Sequence, residues 1–151
     1  MTPRVLIFFD ASVLLAAAGS PRGGSSAAIA LIAGSDRYEA VVSGQVLREA
    51  LGNLRLKFLE EALVRFYTQL GGLRPGLAQV GEGLAPQDLP ASLAPKDRHV
   101  VEACLNAGAN ICLTLDRRHL LTDELRRWGI EHGIRFLTPG EFLAWQRVRE
   151  S

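Results

Sequence analysis

Four carboxylates stand at conspicuous places in the chain. Asp10 directly follows the apolar run Val5 to Phe9 in "VLIFFDASVLLA", and apolar residues resume two positions later. Asp116 repeats the arrangement, because "NICLTLD" is also an apolar run that ends in an acid. Asp97 opens the helix-forming part of "APKDRHVV", and Glu49 lies in "SGQVLREAL", one to two turns into a helical stretch. Each has an ordinary reading. Asp10, Asp97 and Asp116 precede helical segments, where Asp is a favoured cap worth about 1 kcal/mol, and Glu49 by itself is a solvent-facing charge. Together they have a chemical reading. Two bare carboxylates about 4 Å apart repel by roughly 4 kcal/mol at an effective dielectric of about 20. A group of three or four therefore raises its own pKa values or holds a cation. Oxygen-only ligands suit Mg²⁺ or Mn²⁺ rather than Zn²⁺. Such an ion lowers the pKa of a bound water and neutralises charge developing on a phosphodiester.

The elements that must position these acids alternate in type. Residues 4–9 are β-branched and aromatic without polar alternation, as in a strand buried on both faces. An Ala- and Leu-rich segment runs to Ala18, followed by the loop "GSPRGGSS" and a helix in "SSAAIALIAG" with a Ser start and a Gly stop. "YEAVVS" is a second strand, and Ser43 opens a helix through "GQVLREALGNLRL". "FLEEALVRFYTQLGG" is apolar at 58, 59, 62, 63, 66, 67 and 70, an amphipathic helix with a Gly-Gly stop. A third strand falls around 77–80, in a stretch rich in Pro and Gly. Then follow a helix in "KDRHVVEACLNAGA", a strand in "NICLTL", a helix over "DRRHLLTDELRRWG", a strand in "GIRFLTP" and a terminal helix in "GEFLAWQRV". This alternation predicts an α/β fold with a parallel sheet covered on both faces, α/β/α in three layers, as one domain over 1–151. Ligands of open parallel sheets bind outside the carboxyl ends of the strands. Asp10 and Asp116 would share that crevice, a few ångströms apart if their strands are neighbours.

Composition narrows the function classes. A chain of 151 residues, 48% hydrophobic and 22% charged, buries a real core without disulfide staples. No apolar run approaches the ~20 residues of a membrane helix. The apolar amino-terminal stretch is broken by Asp10 and lacks the usual cleavage site, which predicts a cytoplasmic protein. Cys104 and Cys112 lie in apolar segments without CxxC spacing or a His at ligand spacing, and read as buried free thiols. A net charge of +1 gives the whole molecule no strong pull on nucleic acid, so such a function would need a local patch. The basic residues are 15 Arg and 2 Lys. Lys96 and Arg98 bracket Asp97, Arg48 precedes Glu49, and Arg117 and Arg118 follow Asp116. They are either phosphate contacts beside the acids or a solvated face that offsets carboxylate charge. "ELRRW" has a spacing suited to Glu–Arg pairing within one helix. His99 and His132 read as structural.

The order strand–Asp, helix–Glu, helix–Asp, strand–Asp resembles the PIN domain, in particular bacterial VapC-like toxins of toxin–antitoxin pairs, over nearly the whole chain. "FFDASVLLAA" is similar to the family's opening motif and "VVSGQVLREAL" to the segment carrying its Glu. "PKDRHVVEACLNAGANICLTLDRRHLL" resembles its most specific block, and "IRFLTPGEFLAW" its common T-P-x-E-F-L ending. The resemblance implies a central parallel sheet of about five strands flanked by helices. It implies Mg²⁺ or Mn²⁺ held by Asp10, Glu49, Asp97 and Asp116, the residues that would also carry catalysis. Ser12 and Thr114 would support the acids, although Ser12 equally suits a helix cap. The activity implied is metal-dependent cleavage of RNA, with a protein antitoxin as partner and a homodimer as assembly. Arg98, Arg117, Arg118 and His119 would touch the RNA. The chain departs from relatives that carry a further acid shortly after the last Asp, since "DRRHLL" has Arg118 and His119 there. His119 would contact phosphate, transfer a proton, or sit on a helix surface. The departure keeps a catalytically weak RNA-binding or protein-interaction module as the alternative. An aspartyl-phosphate phosphatase of the haloacid dehalogenase type also begins strand–Asp, but wants D-x-D where this chain has Ser12.

Overall fold

The structure, a computed structural model, describes residues 3–57, 59–79 and 89–150. Strand β1 (Val5–Phe9) is the middle of a five-stranded, all-parallel sheet. On one side it pairs with β2 (Tyr38–Ser43), which pairs with β3 (Gly76–Ala78); on the other it pairs with β4 (Ile111–Leu113), which pairs with β5 (Arg135–Leu137). Ile7, Phe8 and Phe9 are fully buried, as a central strand covered on both faces requires.

The direction of travel decides the layers. From β1 the chain moves towards β3 through α1 (Ala11–Gly19), α2 (Gly24–Ala33), α3 (Gly44–Lys57) and α4 (Glu60–Leu73). It then returns towards β5 through a 3₁₀ turn (Pro95–Asp97), α5 (Arg98–Ala107) and α6 (Asp123–Glu131). Right-handed crossovers made in opposite directions put their helices on opposite faces. Accordingly α1 packs on α2, α3 and α4, and α7 (Pro139–Glu150) packs on α2, while α5 lies on β2 and β3 and α6 on β5. The three-layer α/β/α expectation holds. The connections leave β1 and β4 in opposite directions, so the cleft between the carboxyl ends of these two strands is the topological switch point.

Local chemistry explains the boundaries. Ser43 starts α3 by accepting the Val46 N–H at 3.1 Å. Thr138 and Glu141 cap α7 reciprocally: the Thr138 N–H donates to Glu141 Oε1 at 2.8 Å, and the Glu141 N–H to Thr138 Oγ1 at 3.0 Å. Gly129 lets α6 lie close on β5, since a Cβ there would meet the Ile134 carbonyl at 2.5 Å. The third strand is Gly76–Ala78, with Val80 and Phe58 outside the described residues.

Two expectations fail. The helix expected from Asp116 starts only at Asp123, because Thr122 caps it with Oγ1 accepting the Leu125 N–H at 3.2 Å. Residues 117–120 form a turn closed by the Leu120 and Leu121 N–H groups on the Asp116 carbonyl, at 3.0 and 3.1 Å. Arg126 does not pair within its helix; its Nη1 meets Glu141 Oε2 on α7 at 2.9 Å and holds the Glu141 carboxyl below its ordinary pKa. Cys104 and Cys112 are buried free thiols, and hydrogen bonding to Cys104, with burial, pushes the Cys112 thiol up.

Candidate metal centre

Asp10 and Asp116 are neighbours because β1 and β4 are. Phe9 pairs with Leu113, and the Asp10 N–H extends the ladder to the Leu113 carbonyl at 3.0 Å. Asp10 stands at the N-cap position of α1 but makes no side-chain cap bond. Its Oδ2 instead accepts two hydroxyls, Ser12 Oγ at 2.7 Å and Thr114 Oγ1 at 2.8 Å. The network continues, since the Asp116 N–H donates to Thr114 Oγ1 at 3.0 Å and the Leu115 N–H to Ser12 Oγ at 3.0 Å. Ser12 thus holds the acid rather than capping the helix. With Asp10 only 7% exposed and Thr114 fully buried, the carboxylate is fixed by hydroxyls from the start of α1 and from the residue after β4.

Asp97 closes the site from the other side of the cleft. The 3₁₀ turn that Pro95 begins delivers it to the first residue before α5, again without a side-chain cap bond. Its Oδ2 is buried and has no hydrogen-bond partner. Burial raises the Asp97 pKa, and the Asp116 charge raises it further; His119 and Lys96 oppose this and Asp10 adds to it. Asp116 Oδ1 accepts the His119 N–H at 3.1 Å, and its Oδ2 faces His119 Nδ1 at 3.3 Å. The same Nδ1 lies 3.7 Å from Asp97 Oδ2. One donor atom from each of Asp97, Asp116 and His119 falls within 4.8 Å of the others, an arrangement that can hold a metal ion. A buried carboxylate oxygen without a hydrogen bond fits a cation, and the donor set of two carboxylates and one imidazole suits a divalent one.

The wider cleft, about 600 Å³, is lined by all four predicted acids: Asp10, Glu49, Asp97 and Asp116. Asp10 and Glu49 lie outside the tight group of three donors. Glu49 is exposed on α3, with Arg48 beside it in the cleft wall, and Lys96 lines the wall near Asp97. Arg98, Arg117 and Arg118 are exposed but do not line the cleft. His119, for which a helix-surface place was one expectation, is on a turn and part of the donor group. The sequence signal for this was its spacing of three from Asp116, which brings the two side chains together in a helix or in this turn. His99 lines the cleft with its Nδ1 buried and without a hydrogen-bond partner, whereas His132 is structural, its Nδ1 2.8 Å from the Trp128 carbonyl and its ring stacked on Trp128 at 4.0 Å. Among the described residues no helix is long and apolar enough to cross a membrane.

No protein-family model matches the chain, and no curated protein matches it significantly.

Proposed function

We propose that the protein is a ribonuclease dependent on Mg²⁺ or Mn²⁺, the toxin of a toxin–antitoxin pair, as its resemblance to PIN domains implies. The observation that carries this reading is the meeting of Asp10, Glu49, Asp97 and Asp116 around one cleft at the carboxyl edge of a parallel sheet, with Asp97 Oδ2 buried and without a hydrogen bond. Asp97 and Asp116 would hold the ion, with Asp10 and Glu49 completing the acidic shell. When bound, the ion activates water and neutralises charge developing on a phosphodiester. The chain's own residues do the rest. Ser12 and Thr114 fix the Asp10 carboxylate so that its orientation costs nothing at the moment of reaction. Asp10 and Glu49 accept hydrogen bonds from the attacking water and aim it at phosphorus. Arg48 and Lys96 grip phosphate oxygens on either side of the scissile bond. Cytoplasmic location belongs to the same reading, and an antitoxin partner and a homodimer rest on the resemblance.

The test is RNA cleavage in Mn²⁺ by the wild type and by Asp10→Asn with Asp116→Asn. The proposal expects cleavage that EDTA abolishes and the double variant lacks. Robust cleavage by the double variant would sink it. The replacement of a further acid by Arg118 and His119 favours a second reading, an RNA-binding or protein-interaction module. RNA binding without cleavage, and without heat of Mg²⁺ binding at millimolar concentration, is its signature.

A further inference from the structure

We infer that His119 supplies a nitrogen ligand to the cation held by Asp97 and Asp116, and that this ligand makes the site prefer Mn²⁺ to Mg²⁺. The inference rests on the metal-centre reading above and deepens it. Four acids alone would make an oxygen-only site, for which Mg²⁺ is a natural occupant. An imidazole changes the chemistry, because nitrogen donors suit transition ions far better than Mg²⁺.

The geometry favours ligation over a mere contact. Ligands that share one ion at bond lengths of about 2.1 Å, with adjacent angles of about 90–110°, stand about 3.0–3.4 Å from one another. His119 Nδ1 is 3.3 Å from Asp116 Oδ2 and 3.7 Å from Asp97 Oδ2. The hydrogen-bond contact of Nδ1 goes to Asp116 Oδ2, and Asp97 Oδ2 is left buried without a hydrogen bond. A cation among the three donors serves all of them. The ring is also held in place. The His119 N–H is anchored on Asp116 Oδ1, and the turn behind it is closed by two bonds to the Asp116 carbonyl. The histidine is 26% exposed in its side chain, so a solvent-derived ion reaches it without unfolding the turn.

The experiment titrates Mn²⁺ and Mg²⁺ calorimetrically into the full chain as wild type, His119→Gln and His99→Gln. Pulsed electron paramagnetic resonance of each Mn²⁺ complex then looks for nitrogen-14 coupling. His99 serves as the control because it lines the same cleft with its Nδ1 unpartnered. The wild type is expected to bind Mn²⁺ more tightly than Mg²⁺ and to show nitrogen coupling. His119→Gln should lose the coupling and weaken Mn²⁺ binding by about tenfold or more, the loss that removal of even an outer partner of a metal ligand causes. Its Mg²⁺ affinity should change far less, and His99→Gln should keep the coupling. Mn²⁺ bound by the wild type without nitrogen coupling would overturn the inference and leave the metal-centre reading standing. So would an unchanged Mn²⁺/Mg²⁺ ratio in His119→Gln. A wild type that binds neither ion overturns both.

Discussion

Replacing Asp97 by Asn should make the metal-free protein more stable while removing its response to metal. The donor atoms of Asp97 and Asp116 lie within 4.8 Å of each other, where two unit charges at an effective dielectric of about 20 repel by about 3.5 kcal/mol. The acids are 13% and 27% exposed and His119 faces both, so water and the imidazole offset part of that repulsion. A net gain of about 1–2 kcal/mol is expected, which for a chain of this size is about 2–8 °C in Tm. Asn caps a helix as well as Asp does, so the change isolates the charge. The pH dependence follows from the direction of the shift. The folded-state pKa of Asp97 is raised above its ordinary 3.8, so the folded protein binds this proton more tightly than the unfolded chain. The metal-free wild type therefore loses stability as pH rises from about 4 through the raised pKa, and Asp97→Asn lacks that loss. The assay is thermal unfolding in EDTA and in millimolar Mn²⁺, at neutral pH and near pH 4. The variant should melt higher in EDTA at neutral pH, converge with the wild type near pH 4, and fail to respond to Mn²⁺. A variant less stable than the wild type in EDTA, or raised by Mn²⁺ as much as the wild type, would refute the electrostatic reasoning.

Thr114→Val keeps the shape of a buried side chain but removes a donor to Asp10 and the acceptor of the Asp116 N–H. Urea unfolding should show a loss of about 1–3 kcal/mol, and calorimetry a Mn²⁺ affinity at least about tenfold weaker. Glu141→Gln retains an acceptor for the Thr138 N–H but loses the charge that meets Arg126. Since the Glu141 pKa is lowered in the folded state, its contribution is present above the ordinary value of 4.5 and fades as pH falls through the folded pKa. The variant's deficit in Tm should accordingly be seen at pH 7 and shrink as pH falls below 4.5.

Much of the architecture was legible because strand and helix periods differ and because Asp10 and Asp116 each end an apolar run. Strand adjacency was not legible: nothing local in "VLIFF" or "ICL" says that they pair, and the pairing is what brings their acids together. Only the resemblance tied Glu49 and Asp97 to the other two acids, and the fold then put both on the walls of the cleft of Asp10 and Asp116. The misread stretch was "DRRHLL". Its residues tolerate a helix, and the start signal that decides the matter, Thr122 followed by Asp123 and Glu124, lies six residues further on. A spacing of three puts His119 beside Asp116 in a helix as in this turn; what no spacing showed is that Asp97 lies against both. Arg126 escaped for a different reason, because its partner Glu141 lies on another helix and sequence spacing reports only neighbours along one.

The central claim is that Asp97 and Asp116, beside Asp10 at the carboxyl edge of the sheet, hold a divalent cation. Crystals grown or soaked in Mn²⁺ and measured at the manganese absorption edge test it most directly. An anomalous peak bonded to Asp97 and Asp116, and absent from Asp97→Asn crystals, is the predicted result. Ordered acids in the cleft with no anomalous density between them would contradict it.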